Sequence, residues 1–163
     1  MKTSLILLCT NFLTLCLNAQ ETISIDDFKI LDNTSWEGTL TYLDYSSNEL
    51  TDIDTKMQVK ILENTFEQNI QYVWEPDKNI QAKTKIRKKG KYLGKQKVVS
   101  KMVNEDGSIK IVTTYKGKDN GKKATFYFTY EISSHQYKVI KEVQLSGNEV
   151  RFMRNMYTYN RIN

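Results

Sequence analysis

The chain has 163 residues, a formal net charge of +5, ten tyrosines, two cysteines, one proline and one histidine. So small a positive charge is not typical of a nucleic-acid-binding domain, and no nucleic acid partner is expected. A single histidine cannot form a metal site alone, so we expect no metal and no other cofactor.

Residues 1–19 have the three-part layout of a secretory signal peptide. A short basic start at 1–3 precedes an apolar run over 4–17, and Ala19 supplies the small residue before the cleavage point. The run is too short for a membrane span. We therefore expect a cleaved leader and a secreted or periplasmic protein. Both cysteines fall within this leader, which leaves the mature chain without a thiol for disulfides or catalysis.

Residues 20–34 form an N-terminal segment with a short predicted helix. Ser24 can cap its first turn, two acidic residues follow, and Ile25, Phe28 and Leu31 lie on one face. We expect this helix to plug or buttress the domain at 35–163.

From Trp36 onward apolar and polar residues alternate almost without a break, as in strands that are wet on one face. The pattern predicts about nine strands, at roughly 35–45, 53–63, 65–75, 79–88, 91–104, 108–116, 123–132, 136–145 and 149–160. Short turn-forming pairs such as Asp106-Gly107 and Asn120-Gly121 separate them. These features predict an all-β fold, a single antiparallel up-and-down β-barrel of about 8–10 strands, with a two-sheet sandwich as the alternative.

The start and the end of the predicted domain resemble the lipocalin-like, or calycin, barrels. The resemblance rests on the short helix, on Trp36 and Gly38 in the first strand, and on a last strand rich in arginine and aromatic residues. It implies that Trp36 and Gly38 belong to the barrel floor. It also implies that a basic residue of the last strand, Arg154 or Arg161, lies against the tryptophan.

Two further resemblances are local. Trp36-Glu37-Gly38 is similar to the haem-binding nitrobindin barrels, but no haem is expected because His135 falls in a predicted turn. Residues 40–47 resemble uncharacterised exported proteins of Bacteroidetes type, which implies a location and no activity.

The last hairpin predicts two cations inside the barrel. If Gly147-Asn148 is a two-residue turn, Val143 faces Phe152, Lys141 faces Arg154 and Val139 faces Met156, all on the apolar frame. Facing like charges are unfavourable in a dry interior unless an anion or a carboxylate lies between them.

Several arrangements would satisfy these two cations. One is a clamp for the head group of an anionic apolar ligand, with Phe128, Tyr130 and Tyr72 lining the adjacent site. The others are an internal pair with Asp44, a lysine at the barrel rim, or a register slip of one residue that turns both cations outward.

A basic stripe follows the predicted fourth and fifth strands. Its members are Lys83, Lys85, Arg87, Lys88, Lys89, Lys91, Lys95, Lys97 and Lys101, all expected to face water and to lack stacking aromatic residues between them. The stripe could contact an anionic surface, chiefly through residues 83–89. A solvated face that discourages edge pairing is the other interpretation.

The sequence thus predicts an exported lipocalin-like barrel that binds a small apolar or amphipathic ligand in its lumen. The cationic clamp described above would suit a ligand with an anionic head group. The alternative is a non-catalytic interaction or structural module of the cell envelope, with a barrel filled by side chains. An enzyme is not expected, because no pair of carboxylates shares an inward face and Ser134-His135 adjoin only in a turn. The oligomeric state stays open.

Overall fold

In the computed structural model, which describes residues 21–162, ten antiparallel strands form one closed barrel. The strands are β1 (Thr34–Asp44), β2 (Glu49–Leu62), β3 (Thr65–Tyr72), β4 (Ile80–Arg87), β5 (Tyr92–Leu93), β6 (Gln96–Val103), β7 (Ile109–Asp119), β8 (Lys122–Ile132), β9 (Gln136–Leu145) and β10 (Phe152–Arg161). Each strand pairs with its neighbours in sequence, and β1 pairs with β10 to complete the ring. The predicted all-β, up-and-down barrel is confirmed, whereas the predicted leader lies outside the described residues.

The predicted strand 91–104 is in fact two strands. The chain turns at Gly94, whose φ of 57° lies in the left-handed region that glycine adopts without strain. As a result β5 has only two residues and makes two ladder pairs with β4 and two with β6. Residues 80–84 of β4 and 115–119 of β7 have no ladder partner on the sides that face this hairpin. We call these two unpaired edges the seam of the barrel.

The predicted short helix is a 3₁₀ helix, Ile25–Leu31, which covers one end of the barrel and is called the plug helix. At its start the Ser24 amide donates a hydrogen bond to Asp27 Oδ2 at 2.8 Å. Phe28 is fully buried, and its ring lies 5.1 Å from that of Phe66 in β3.

Polar contacts fasten the plug helix to the barrel wall. Lys101 Nζ lies 2.6 Å from Asp27 Oδ1, and the Ile61 amide donates to Asp32 Oδ1 at 2.8 Å. The expectation that Lys101 faces water is therefore wrong. A register shift between Val98 and Ser100 in β6 turns it toward the plug helix.

Trp36 lies in the core at the end of the barrel that the plug helix covers. The side chain is fully buried, its Nε1 donates to Thr34 Oγ1 at 2.7 Å, and its ring lies 6.5 Å from that of Tyr137. The guanidinium carbon of Arg161 lies 5.9 Å from the indole ring. Of the two expected basic residues, Arg161 and not Arg154 accompanies the tryptophan.

Gly38 allows β1 and β10 to approach each other above Trp36. It pairs with Tyr159, and a Cβ at this position would lie 1.9 Å from the carbonyl oxygen of Thr158. Only glycine fits so close to a neighbouring backbone.

Side chains fill the half of the lumen next to the plug helix. Its largest fully buried members are Trp36, Tyr137, Tyr159, Phe28, Phe66, Leu31, Met57, Ile111 and Ile132. Among residues 21–162, no helix is long and apolar enough to cross a membrane.

Candidate functional site

The end of the barrel opposite the plug helix holds an open cavity of about 570 Å³. This volume lies within the range of small-molecule sites, roughly 300–1,000 Å³. Its apolar wall includes Leu40, Ile53 and Ile80, and its aromatic wall includes Tyr42, Tyr72 and Tyr157. The charged groups Asp119, Lys141 and Arg154 line the same cavity. The structure therefore brings the two predicted cations together with Tyr72.

A β-bulge places Arg154 in this cavity. Phe152 pairs with Val143 as predicted, but the register shifts between Met153 and Asn155, so that Asn155 pairs with Lys141. The predicted pairings of Lys141 with Arg154 and of Val139 with Met156 are therefore wrong. Because the bulge adds one residue to β10, Arg154 stands outside the ladder and is free to turn toward the lumen.

Asp119 is the carboxylate that accompanies these cations, and the expected partner Asp44 is not. Arg154 Nε lies 3.8 Å from Asp119 Oδ1, and the Asp119 side chain is 11% exposed. Asp44 instead accepts hydrogen bonds from the amide and hydroxyl of Ser46 in the β1–β2 turn, at 2.8 and 2.7 Å. These bonds lower the pKa of Asp44.

Arg154 is held on three sides. Its Nη1 donates to the Leu43 carbonyl oxygen, its Nε faces Asp119, and its Cζ lies 4.1 Å from the ring centroid of Tyr45. The Tyr45 hydroxyl in turn donates to Asp119 Oδ2. Burial and this hydrogen bond raise the pKa of Tyr45 to about 12. The guanidinium is thus a fixed positive wall of the cavity.

Lys141 is the less compensated of the two cations. Its Nζ lies 4.7 Å from the ring centroid of Phe126, and within residues 21–162 no carboxylate comes within ion-pair distance of it. Burial lowers the pKa of Lys141, the nearby Arg154 charge acts in the same direction, and Asp119 opposes them. An anion entering the cavity would therefore meet an ammonium group with no partner of its own.

Tyrosine hydroxyls line the wall beside the charges. The hydroxyls of Tyr72 and Tyr157 lie 2.7 Å apart and share a hydrogen bond. Burial, followed by this hydrogen bond, raises the pKa of Tyr157. The Tyr157 hydroxyl therefore keeps its proton at neutral pH, and the pair can offer a hydrogen bond to a polar ligand group.

The predicted site residues Phe128 and Tyr130 do not line this cavity, although Phe128 pairs with Lys141 across the β8–β9 ladder and Tyr130 lies two residues nearer the plug helix. Tyr130 donates to Gln96 Oε1 at 2.7 Å, and burial raises its pKa to about 12. Phe128 stacks between Tyr130 and Tyr115, with ring centroids 6.4 and 5.9 Å away. These three rings form a stack beside the site.

In the filled half of the lumen two hydroxyls have no hydrogen-bond partner among the described residues, those of Tyr137 and Tyr159. Gln68 lies near the first and Thr55 near the second, without reaching hydrogen-bond geometry. Burial raises the pKa of both tyrosines.

Asp119, Tyr45 and Asn155 also belong to the site and were not predicted from the sequence. The signal for Asp119 was present, because it follows Tyr115 and Gly117 at a spacing of two and so shares their inward face. Tyr45 follows β1 in the turn, and Asn155 turns inward only because of the bulge, so neither could be placed by alternation.

His135 lies in the exposed turn between β8 and β9, at the plug-helix end of the barrel. Its Nδ1 lies 3.4 Å from Ser134 Oγ. His135 is therefore at the opposite end of the barrel from the cavity. Among the described residues no three His, Cys, Asp or Glu side chains gather closely enough to hold a metal ion.

No protein-family model and no curated protein sequence matches the chain. Among solved structures, it is similar to the crystal structure of Rv2717c from M. tuberculosis, with 11% sequence identity and a TM-score of 0.58 over 85% of this chain and 97% of that one. The S-type phycobiliprotein lyase CPES from Guillardia theta is 10% identical, with a TM-score of 0.49 over 86% of this chain and 94% of that one. At 11% identity the similarity to Rv2717c concerns the fold alone. It agrees with the closed antiparallel barrel described above, while the resemblances to lipocalin-like barrels and to exported proteins of Bacteroidetes type stay predictions.

Proposed function

We propose that this protein is a binding protein whose open-end cavity takes up a small amphipathic molecule with an anionic head group. Lys141 and Arg154 hold the anion, while Leu40, Ile53 and the tyrosine wall contact the apolar part. The role is binding and not catalysis.

One observation carries the proposal. An apolar-walled cavity contains two cations, Lys141 and Arg154, and a single carboxylate close to them, Asp119. A partly buried charge without a partner is unfavourable, and a bound anion would supply that partner. Glu75 and Lys78, the other charged residues along the cavity, have opposite signs and leave the imbalance unchanged.

The two cations have different roles in the proposed complex. Arg154 already faces Asp119 and the Leu43 carbonyl, so it presents a fixed electrostatic surface. Lys141 has a flexible stem and an uncommitted ammonium group, so it forms the new charge-assisted hydrogen bond. Such a bond contributes about 1.5–3 kcal/mol. The burial of the tail adds about 0.8 kcal/mol for each methylene group removed from water.

Calorimetric titration with dodecanoate, and with dodecanol as the uncharged ligand of equal tail length, tests the proposal. We expect dodecanoate to bind the parent more tightly than dodecanol, and Lys141→Met to abolish that preference. The control is Lys138→Met, which removes a lysine of the same strand whose ammonium lies 4.0 Å from Glu131 on the other face. Equal binding of the two ligands, or heat signals from neither, would contradict an anion site.

The open rim supports the second candidate, an interaction module. Trp74 is 76% exposed, and Tyr45, Leu50, Val73 and Ile80 are exposed around the same end of the barrel. An apolar rim of this kind is typical of contact surfaces. Sedimentation velocity over a range of concentrations tests it: self-association lost in Trp74→Ala supports this role, and a concentration-independent monomer argues against self-contact.

A further inference from the structure

The outer wall formed by β4, the β5–β6 hairpin and the turn between β4 and β5 is strongly basic. Between Lys83 and Lys97 the chain has eight basic residues and no acidic residue. Lys83, Lys85 and Arg87 alternate on the outward face of β4, as the sequence predicts. The turn adds two lysines with positive φ, Lys88 at 50° and Lys89 at 54°.

Little of this charge is neutralised within the described part of the chain. Lys83 Nζ lies 2.7 Å from Glu67 Oε1, the one carboxylate that pairs with the wall in residues 21–162. Lys88 Nζ lies 4.9 Å from the ring centroid of Tyr92, which corrects the expectation that this face lacks aromatic rings. Five exposed lysines form no ion pair with a described residue: Lys85, Lys89, Lys91, Lys95 and Lys97.

Apolar side chains project next to these lysines. Val99 and Met102 of β6 are 50% and 54% exposed. Val99 adjoins the lysine turn because the Val98 amide donates to the Lys91 carbonyl oxygen at 2.9 Å, and Met102 lies further along the strand on the face opposite Lys101. The register shift after Val98 puts Val99 outside the regular alternation, which explains an exposed valine on this strand.

We propose that this surface, the basic wall, docks on an anionic lipid bilayer. The basic wall consists of the five unpaired lysines together with Val99 and Met102. Lysines near an anionic membrane are attracted to its surface potential, and the apolar side chains enter the boundary between head groups and acyl chains. Charge of one sign beside exposed apolar residues is the combination that such a boundary requires.

The composition of the basic wall favours lipid over nucleic acid. Recognition of a nucleic acid backbone favours arginine forks, and single strands require free aromatic rings for stacking. Here seven of the eight basic residues between positions 83 and 97 are lysines, and the ring of Tyr92 is covered by Lys88. The wall is also the convex outside of a barrel and offers no channel to a polymer. This inference does not depend on the cavity at the open end.

Co-sedimentation with vesicles tests the proposal. We expect the protein to bind vesicles that contain phosphatidylglycerol and not vesicles of phosphatidylcholine alone, with binding that weakens as salt is added. The triple variant Lys85→Gln, Lys91→Gln, Lys97→Gln should lower the affinity for the anionic vesicles at least about tenfold, since each lysine contributes separately. Adding Met102→Ser to this triple variant should lower the affinity for the anionic vesicles further.

The matched control is Lys60→Gln, Lys122→Gln, Lys123→Gln, which removes three exposed lysines from other parts of the surface. It should leave vesicle binding unchanged. Equal losses in the two triple variants would reduce the effect to net charge and overturn the basic wall as a site. Equally tight binding to heparin or duplex DNA at the same ionic strength would overturn lipid as its partner. Melting curves of both variants show whether the fold is retained.

Discussion

Asp119 Oδ1 lies 3.8 Å from Arg154 Nε, although β8 and β9 separate the strands that carry them. The contact therefore crosses a corner of the lumen instead of following the sheet. Lys141, on the intervening strand β9, lines the same cavity without an ion pair to a described carboxylate. Removal of Arg154 would thus leave a carboxylate without its ion-pair partner, whereas removal of Lys141 would not.

Replacing each cation by methionine should affect stability differently. Arg154→Met leaves the buried Asp119 carboxylate short of a partner and should lower the free energy of unfolding by about 1–3 kcal/mol. Lys141→Met removes a partly buried charge at similar volume and should leave the free energy of unfolding unchanged or raise it. Urea denaturation of both variants, with the exposed Arg151→Met as the control, measures the difference. Stabilisation by Arg154→Met would show that the ion pair with Asp119 does not hold.

The two tryptophans provide a matched pair. Trp36 is fully buried in the floor, so Trp36→Ala should cost about 3–5 kcal/mol and unfold much of the population. Trp74→Ala, at an exposed rim position, should change stability by no more than about 0.5 kcal/mol. Thermal melting followed by circular dichroism compares them. Similar melting temperatures for the two variants would place Trp36 outside the core.

Gly38→Ala should destabilise the barrel more than Gly117→Ala. The new methyl group at position 38 would meet the Thr158 carbonyl oxygen, which belongs to a paired strand and cannot move away alone. At position 117 the nearest atom is Phe126 Cε2 at 3.0 Å, on a side chain that can shift. The midpoints of urea denaturation rank the two variants. If the Gly38→Ala midpoint equals that of the parent, β1 and β10 must be further apart than in this structure.

Stability should fall as the pH rises above 10, the ordinary pKa of tyrosine. Burial raises the folded-state pKa of Tyr130, Tyr137 and Tyr159, so above this pH the unfolded chain loses protons that the folded chain keeps. Each such tyrosine lowers the free energy of unfolding by about 1.4 kcal/mol per pH unit until its own folded pKa is reached. Lys141, whose pKa is lowered, acts in the opposite direction but is a single group.

Tyrosinate absorbance and circular dichroism, followed together against pH, check this expectation. The last part of the absorbance change should coincide with the loss of the circular dichroism signal, because ionisation of the buried rings requires unfolding. Tyr137→Phe removes an unpartnered buried hydroxyl and should both stabilise the protein near neutral pH and reduce the alkaline slope. Full ionisation of the tyrosines while the fold persists would contradict their burial.

Export should remove residues 1–19 and leave Gln20 as the first residue. The expectation rests on the basic start, the apolar run and Ala19. Intact mass of the protein recovered outside the cytoplasm measures it. A species that retains either cysteine, or carries a lipid on one, would contradict a cleaved leader.

Alternation along the chain was enough to predict the barrel, its strand order and the start of the last hairpin, because period two fixes which face each residue joins. It failed where a bulge changes the phase. In β10 the inward aromatic residues move from even to odd numbers, from Phe152 to Tyr157 and Tyr159, and this change in parity marks the bulge at Arg154.

The contacts of Asp119 and Lys101 were beyond the reach of sequence reasoning for a different reason. Asp119 meets Tyr45, 74 positions earlier in the chain, and Lys101 meets Asp27 in the plug helix. Each contact depends on how the ring closes and on where the helix rests, and neither leaves a local pattern. Alternation could therefore place Asp119 on the inward face of β7, but it could not place this carboxylate beside Arg154.

The seam is the place where the barrel wall can open most easily. Elsewhere around the ring neighbouring strands share long ladders, but β5 joins its neighbours by only two pairs on each side. Backbone amides at 80–84 and 115–119 that point into the seam should exchange with deuterium sooner than those of β1 or β8. The barrel wall can then open between β4 and β7. The cavity can accept a ligand larger than its resting volume while the Trp36 floor stays folded.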